Sequence, residues 1–374
     1  MKARQTFFLA VFVLLLLPVW EPVYAADIGM GNLDEFDFSG LQEVIDGIFT
    51  KEKPDFGELV QELLKGNTEV SIKRLFSSFW QVCIGEITAG KRAMLVILGI
   101  GIMAAVFHNL SLAFENRQIA DTGYFITYLA FLSITALSFM EACQIAETML
   151  FQLELFMKAM IPAFFLAVSL SAGSISAIGF YKVMLILISL ADSMLLKMIL
   201  PVIKLSTVLM LINYITKEDM LSRLSKIFQT IVSWSLKGML TITIGMNTMQ
   251  GLVLPSIDHM KLSLLQKTVS VLPGIGNSAE AVAGLMAQSS QMIKNGIGTA
   301  AFFIIAVMVV VPMAKLGILV LMYQISCAML QPISDKRMVK ALSAVGDGSR
   351  YLLQLVATAG ILYMVTIAIV CVMT

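Results

Sequence analysis

The amino-acid sequence predicts an all-α, polytopic membrane protein with amphipathic interfacial helices. Three observations carry this. Only 14% of the 374 residues are charged and 58% are hydrophobic, whereas a soluble domain carries roughly 25% charged residues. The mean hydropathy is +0.87. The apolar residues fall in long runs separated by short charged turns, as successive membrane spans do. A net charge of +1 gives no field that points to nucleic acid. His108, His259 and four scattered cysteines (Cys83, Cys143, Cys327, Cys371) show no metal-ligand spacing and no disulfide framework. The 26 methionines read as flexible apolar filler.

Residues 1–25 read as a signal peptide. Lys2 and Arg4 precede the apolar run Thr6–Leu17, Pro18 and Pro22 break it, and Val23-Tyr24-Ala25 offers small residues for cleavage. An uncleaved first span is the alternative, although the run is short for a hydrocarbon layer of about 30 Å. Residues 26–90 form an acidic segment expected on the far side of the membrane, with a net charge of −7 from twelve acids and five bases. Leu41, Val44, Ile45, Ile48 and Phe49 repeat at helical spacing, and so do Phe56, Leu59, Val60, Leu63 and Leu64. These are two short amphipathic helices, too small for a core of their own. Residues 71–87, with Phe79 and Trp80, suit the membrane interface.

Residues 91–158 open the membrane domain with two spans, Ala93–Ser111 and Thr122–Glu141. Residues 159–254 hold Ala159–Ala177, then Val183–Leu200 and Val202–Ile215 on either side of Pro201, then a basic helix and a span near Leu236–Leu254. In the basic helix Met220, Leu221, Leu224, Ile227, Phe228 and Ile231 make one stripe, and Lys217, Arg223 and Lys226 lie on the polar face. Residues 255–374 echo this order. Pro162 and Pro201 are 39 apart, as are Pro273 and Pro312, and Lys204-Leu205 aligns with Lys315-Leu316. A second basic segment, Asp335–Val345, precedes a last span, Tyr351–Met373. The matching order suggests an internal parallel repeat, with both basic segments on one side of the membrane and seven to ten spans in all.

Buried charge is the one chemical signal. Asp192 and Lys197 sit inside an apolar run, and Lys204 and Lys315 each follow a proline, Pro201 or Pro312, by three residues. Each such group costs roughly 2.5–3.5 kcal/mol to insert unless it pairs, snorkels or lines a polar cavity. Asp192, Lys197, Pro201, Lys204, Pro312 and Lys315 are therefore the candidate intramembrane polar and hinge residues. Gly99, Gly101, Ala104, Ala105 and the stretch 173–177 allow close helix approach, either within the chain or in a homo-oligomer. No catalytic residue, cofactor or metal set is expected: Gly274-Ile275-Gly276 lacks the Gly-Lys-Ser/Thr of a phosphate loop, and no triad or zinc motif occurs.

Three stretches carry a family resemblance: His108–Asn116, Pro273–Gly276 and Gln331–Asp335. With the order of signal, exported region and long polytopic domain, residues 70–374 resemble the stage III sporulation protein AE family. The resemblance implies a multi-pass protein of the mother-cell-derived outer forespore membrane in endospore formers. It implies as partners the other stage III sporulation A-operon proteins and forespore protein Q, in a secretion-like channel complex. That complex supports forespore development and late forespore gene expression, with ATP hydrolysis left to its AA protein. The expected function is a non-enzymatic membrane subunit of this channel complex. The alternative is a stand-alone secondary transporter with a polar site at Pro-broken helices, and an intramembrane enzyme is disfavoured because no nucleophile–base set is found.

Overall fold

The computed structural model describes residues 38–48, 54–64, 85, 95–106, 117–172, 179, 182, 186, 188–191, 193–215, 220–242, 245 and 276–372. Among these there is no strand. The helices are α1 (Ser39–Ile48), α2 (Phe56–Leu64), α3 (Leu95–Val106), α4 (Arg117–Ala172), α5 (Ile188–Ile215), α6 (222–242), α7 (Gly276–Leu330) and α8 (Lys336–Val372). Four of them, α4, α5, α7 and α8, are long and apolar enough to cross a membrane. The protein is a multi-pass helical membrane protein. The signal peptide, the 71–87 segment apart from residue 85, the loop around Asp258 and most of the 243–254 span lie outside the described residues.

The two amphipathic helices form as their periodicity predicts. Leu41 and Ile45 of α1 and Phe56, Val60 and Leu63 of α2 are buried, α1 against α4 and α2 against α7. One side chain locks the pair. Gln42 Nε2 donates to the Pro54 carbonyl at 3.2 Å, and its Oε1 accepts from the Phe56 N–H at 3.0 Å. The Asp55 carboxylate caps α2 by accepting from the Glu58 N–H at 2.9 Å.

Among the described residues the long helices are longer than the hydropathy pattern suggests. Thr122–Glu141 and the described part of Ala159–Ala177, as far as Ala172, are not separate spans but parts of one unbroken α4. Its middle, 141–158, carries Glu141, Glu147, Glu154 and Lys158, which interrupt hydropathy but are good helix formers. Glu154 and Lys158 pair one turn apart and support the helix there. Pro162 and Pro312 lie inside α4 and α7 without breaking them, as neighbouring helices permit in a membrane. Pro201 does not split α5 either. Residues 195–199 form a π-helical turn, and the Leu200 N–H bonds back to the Leu195 carbonyl. The widened turn relieves the clash between a proline ring and the carbonyl four residues earlier. The basic segment 335–345 and the last span fuse into α8.

At the centre lies α8, packed against α7, α4 and α5. Of its apolar window 72% is buried, against 33–39% in the other three long helices. Glycine makes this possible. A Cβ on Gly348 would collide with the Thr207 side chain and approach the Phe139 ring to 2.9 Å, and one on Gly360 would reach Val309 Cγ1 at 2.6 Å. The small residues of α3 serve the same end: Ala104 and Ala105 are buried, and Gly101 faces Leu330. Buried hydroxyls of Thr135, Thr207 and Thr366 donate to carbonyls one turn back in their own helices. Both α5–α6 and α7–α8 are helical hairpins, but an internal repeat is not shown.

Candidate functional site

Polar side chains gather in two places. The first is a clasp at one end of the bundle, built around the turn between α7 and α8. The chain reverses at Gln331-Pro332-Ile333-Ser334, where the Ser334 N–H bonds the Leu330 carbonyl at 2.8 Å and Pro332 cannot continue the helix. Asp335 then caps α8, its Oδ1 accepting from the Arg337 N–H at 3.1 Å. Its Oδ2 accepts from Tyr124 Oη of α4 at 2.6 Å and from Arg337 Nε at 3.3 Å. The Arg337 guanidinium lies 5.8 Å from the centre of the Tyr128 ring, which stacks on Tyr124 at 5.9 Å. Tyr128 Oη donates to the Tyr214 carbonyl at the end of α5. Beside it, Asn213 Oδ1 accepts from the Leu221 N–H at 2.7 Å, and buried Ser225 of α6 donates to the Ser206 carbonyl at 2.8 Å. The start of α4, the end of α5, the start of α6 and the α7–α8 turn are thereby joined. Arg223, Lys226, Lys336 and Lys340 stand exposed around this end.

The second is a charged seam between α4 and α5. Lys204 Nζ donates to Glu147 Oε2 at 2.6 Å, with side chains 39% and 51% exposed. Lys197, seven residues before Lys204, is exposed in the π turn. On α4, Glu154 lies seven residues after Glu147 and pairs with Lys158. Tyr323 of α7 shares a 2.6 Å hydrogen bond with Ser138 of α4, about two and a half turns before Glu147.

Of the residues singled out in the sequence, Lys204 lies in the seam and Lys197 is exposed in the π turn of the same helix, with Pro201 exposed between them. Asp192 lies outside the described residues, and the partner found for Lys204 is Glu147. Pro312 and Lys315 are half-buried in α7, a different helix. Sequence reasoning passed over Glu147, Glu154 and Lys158, treating 142–158 as the link between two spans. Glu141, Glu147, Glu154 and Lys158 recurring within one otherwise apolar stretch were the available signal. For the clasp, Tyr124 and Tyr128 at i, i+4 near the start of an apolar run were a weaker one. Among the described residues no group of three or more His, Cys, Asp or Glu side chains is placed to hold a metal ion.

The stretch that makes the clasp turn, Gln331–Asp335, is one of those that carry the family resemblance. The family model for stage III sporulation protein AE matches residues 54–374. The chain belongs to that family. A curated relative, "Stage III sporulation protein AE" of Bacillus subtilis (strain 168), is 20% identical over 312 residues, covering 83% of this chain and 78% of the relative. No solved structure matches the chain. Membership therefore extends from α2 through the clasp and the seam to the end of α8, and the family's name denotes no enzymatic activity.

Proposed function

We propose that the chain is a membrane subunit of the stage III sporulation channel complex, linking mother cell and forespore and needed for forespore development and late forespore gene expression. The observation that carries this is the family match over residues 54–374 on a chain with four span-length helices. The arrangement suits a scaffold better than an enzyme. The best-connected polar cluster, the clasp, uses its carboxylate, phenols and guanidinium to hold helix ends together, and its groups are engaged with one another. In this reading the basic end around Arg223, Lys226, Lys336 and Lys340 faces the mother-cell cytoplasm, following the preference of Lys and Arg for that side. The partners are the other A-operon proteins and forespore protein Q, and the residence is the outer forespore membrane.

The test is a chromosomal deletion in the host, followed past engulfment with a late forespore-specific reporter. Forespores that engulf and then stay silent or collapse are expected, with the A-operon proteins co-purifying with a tagged, complementing copy. Normal spores from the deletion strain would contradict the proposal, and uptake by the purified protein would then be the question to pursue.

A further inference from the structure

We infer that the α4–α5 seam is the wall of an aqueous passage at membrane depth, lined by Glu147, Lys158, Lys197 and Lys204, with Glu154 buried and paired to Lys158; this deepens, and rests on, the reading of the chain as a channel subunit. Depth comes first. α5 spans 28 residues with a mean hydropathy of 2.1, and Lys197 and Lys204 lie on either side of its midpoint, roughly 7 Å and 4 Å away along the axis. A hydrocarbon layer of about 30 Å centred on this helix places both ammonium groups inside it.

Register comes second. α4 and α5 run antiparallel, since Tyr128 meets Tyr214 while Glu147 meets Lys204. The π turn that carries Lys197 packs on α4 as well, and seven residues beyond Glu147 the buried Glu154 holds Lys158. The outcome is a cluster of charged groups along one seam.

Exposure decides what the cluster faces. Glu147 and Lys204 keep 51% and 39% of their side-chain surface open, and Lys158 keeps 53%. One hydrogen bond leaves an ammonium two donors and a carboxylate further lone pairs that lipid tails cannot satisfy. Intramembrane ionisable groups persist where they meet protein or water. A neighbouring exposed stripe of α5 is apolar: Met198, Leu205 and Ile212 are 48%, 47% and 44% exposed, roughly 80–120° round the helix from Lys204. The helix thus presents a lipid-compatible stripe beside a hydrated one, as a wall between lipid and water does. Three bases against one exposed acid, with Glu154 buried against Lys158, give the wall an excess of positive charge.

The experiment uses the full-length chain in membranes of the sporulating host, with its four native cysteines replaced by alanine. Glu147→Cys, Lys197→Cys and Lys204→Cys are compared with Met198→Cys, Leu205→Cys and Ile212→Cys for reaction with a charged, membrane-impermeant maleimide. Labelling of the seam positions at least tenfold faster than of the apolar set is expected. Seam rates equal to the apolar set would overturn the inference, as would seam cysteines that stay unlabelled but cross-link to a neighbouring polypeptide. Three seam positions are used so that loss of one ion pair does not decide the result, and spore counts of each strain are taken alongside. Unlabelled seam cysteines in a strain that still depends on this gene for sporulation would remove the aqueous wall and leave the channel reading standing. Normal sporulation of the deletion strain would remove the channel reading itself.

Discussion

The clasp and the seam use the same kinds of side chain to different ends. In the clasp one carboxylate takes a phenol, a guanidinium and a backbone N–H, and the guanidinium in turn lies against an aromatic ring. In the seam Glu147 and Lys204 pair and still keep 51% and 39% of their side-chain surface open. A closed network holds helices in place, because any rearrangement strands a desolvated group. An open one contributes little to stability, so its persistence in an apolar setting points to use. The two regions also lie differently in the bundle. The clasp anchors α8, the most enclosed of the long helices, whereas the seam lies on α5, most of whose apolar window is uncovered.

This contrast can be broken most forcefully where α8 crosses its neighbours. Gly348→Leu drives a side chain into Thr207 and Phe139 and is expected to cost about 3 kcal/mol or more, read as loss of folded protein in thermal unfolding of the detergent-solubilised chain. Asp335→Ala removes the clasp's hub and the α8 cap together, for an expected loss of about 2–3 kcal/mol in the same assay. Tyr124→Phe deletes one phenol–carboxylate bond while keeping the ring on Tyr128, and about 1.5 kcal/mol should go. Glu147→Gln in the seam should shift unfolding by under about 1 kcal/mol. A seam substitution as destabilising as Asp335→Ala would erase the distinction, and a clasp substitution as mild as Glu147→Gln would erase it from the other side.

The helical membrane class was legible because hydropathy reports burial in lipid directly, and the two amphipathic helices were legible because Leu41, Ile45, Phe56 and Val60 keep a strict helical period. Helix lengths were not. Hydropathy falls at Glu141, Glu147, Glu154 and Lys158, but nothing there stops a helix, and Pro162, Pro201 and Pro312 are absorbed by packing or by the π turn. Of the site, Lys197 and Lys204 were visible as charges in an apolar run. The partner of Lys204 was hidden because Glu147 lies 57 residues away in sequence. The clasp was hidden for the same reason, since Asp335 meets Tyr124 across 211 residues. Its turn, Gln331–Asp335, was noticed as a sequence pattern before its structural role was visible.

The measurement that tests the account most directly is replacement of the chromosomal copy by Lys204→Leu in the sporulating host, with protein abundance and heat-resistant spores counted together. The account predicts normal abundance with spore numbers reduced at least tenfold, whereas Asp335→Ala should lower both. Wild-type spore numbers from the Lys204→Leu strain would contradict a functional seam.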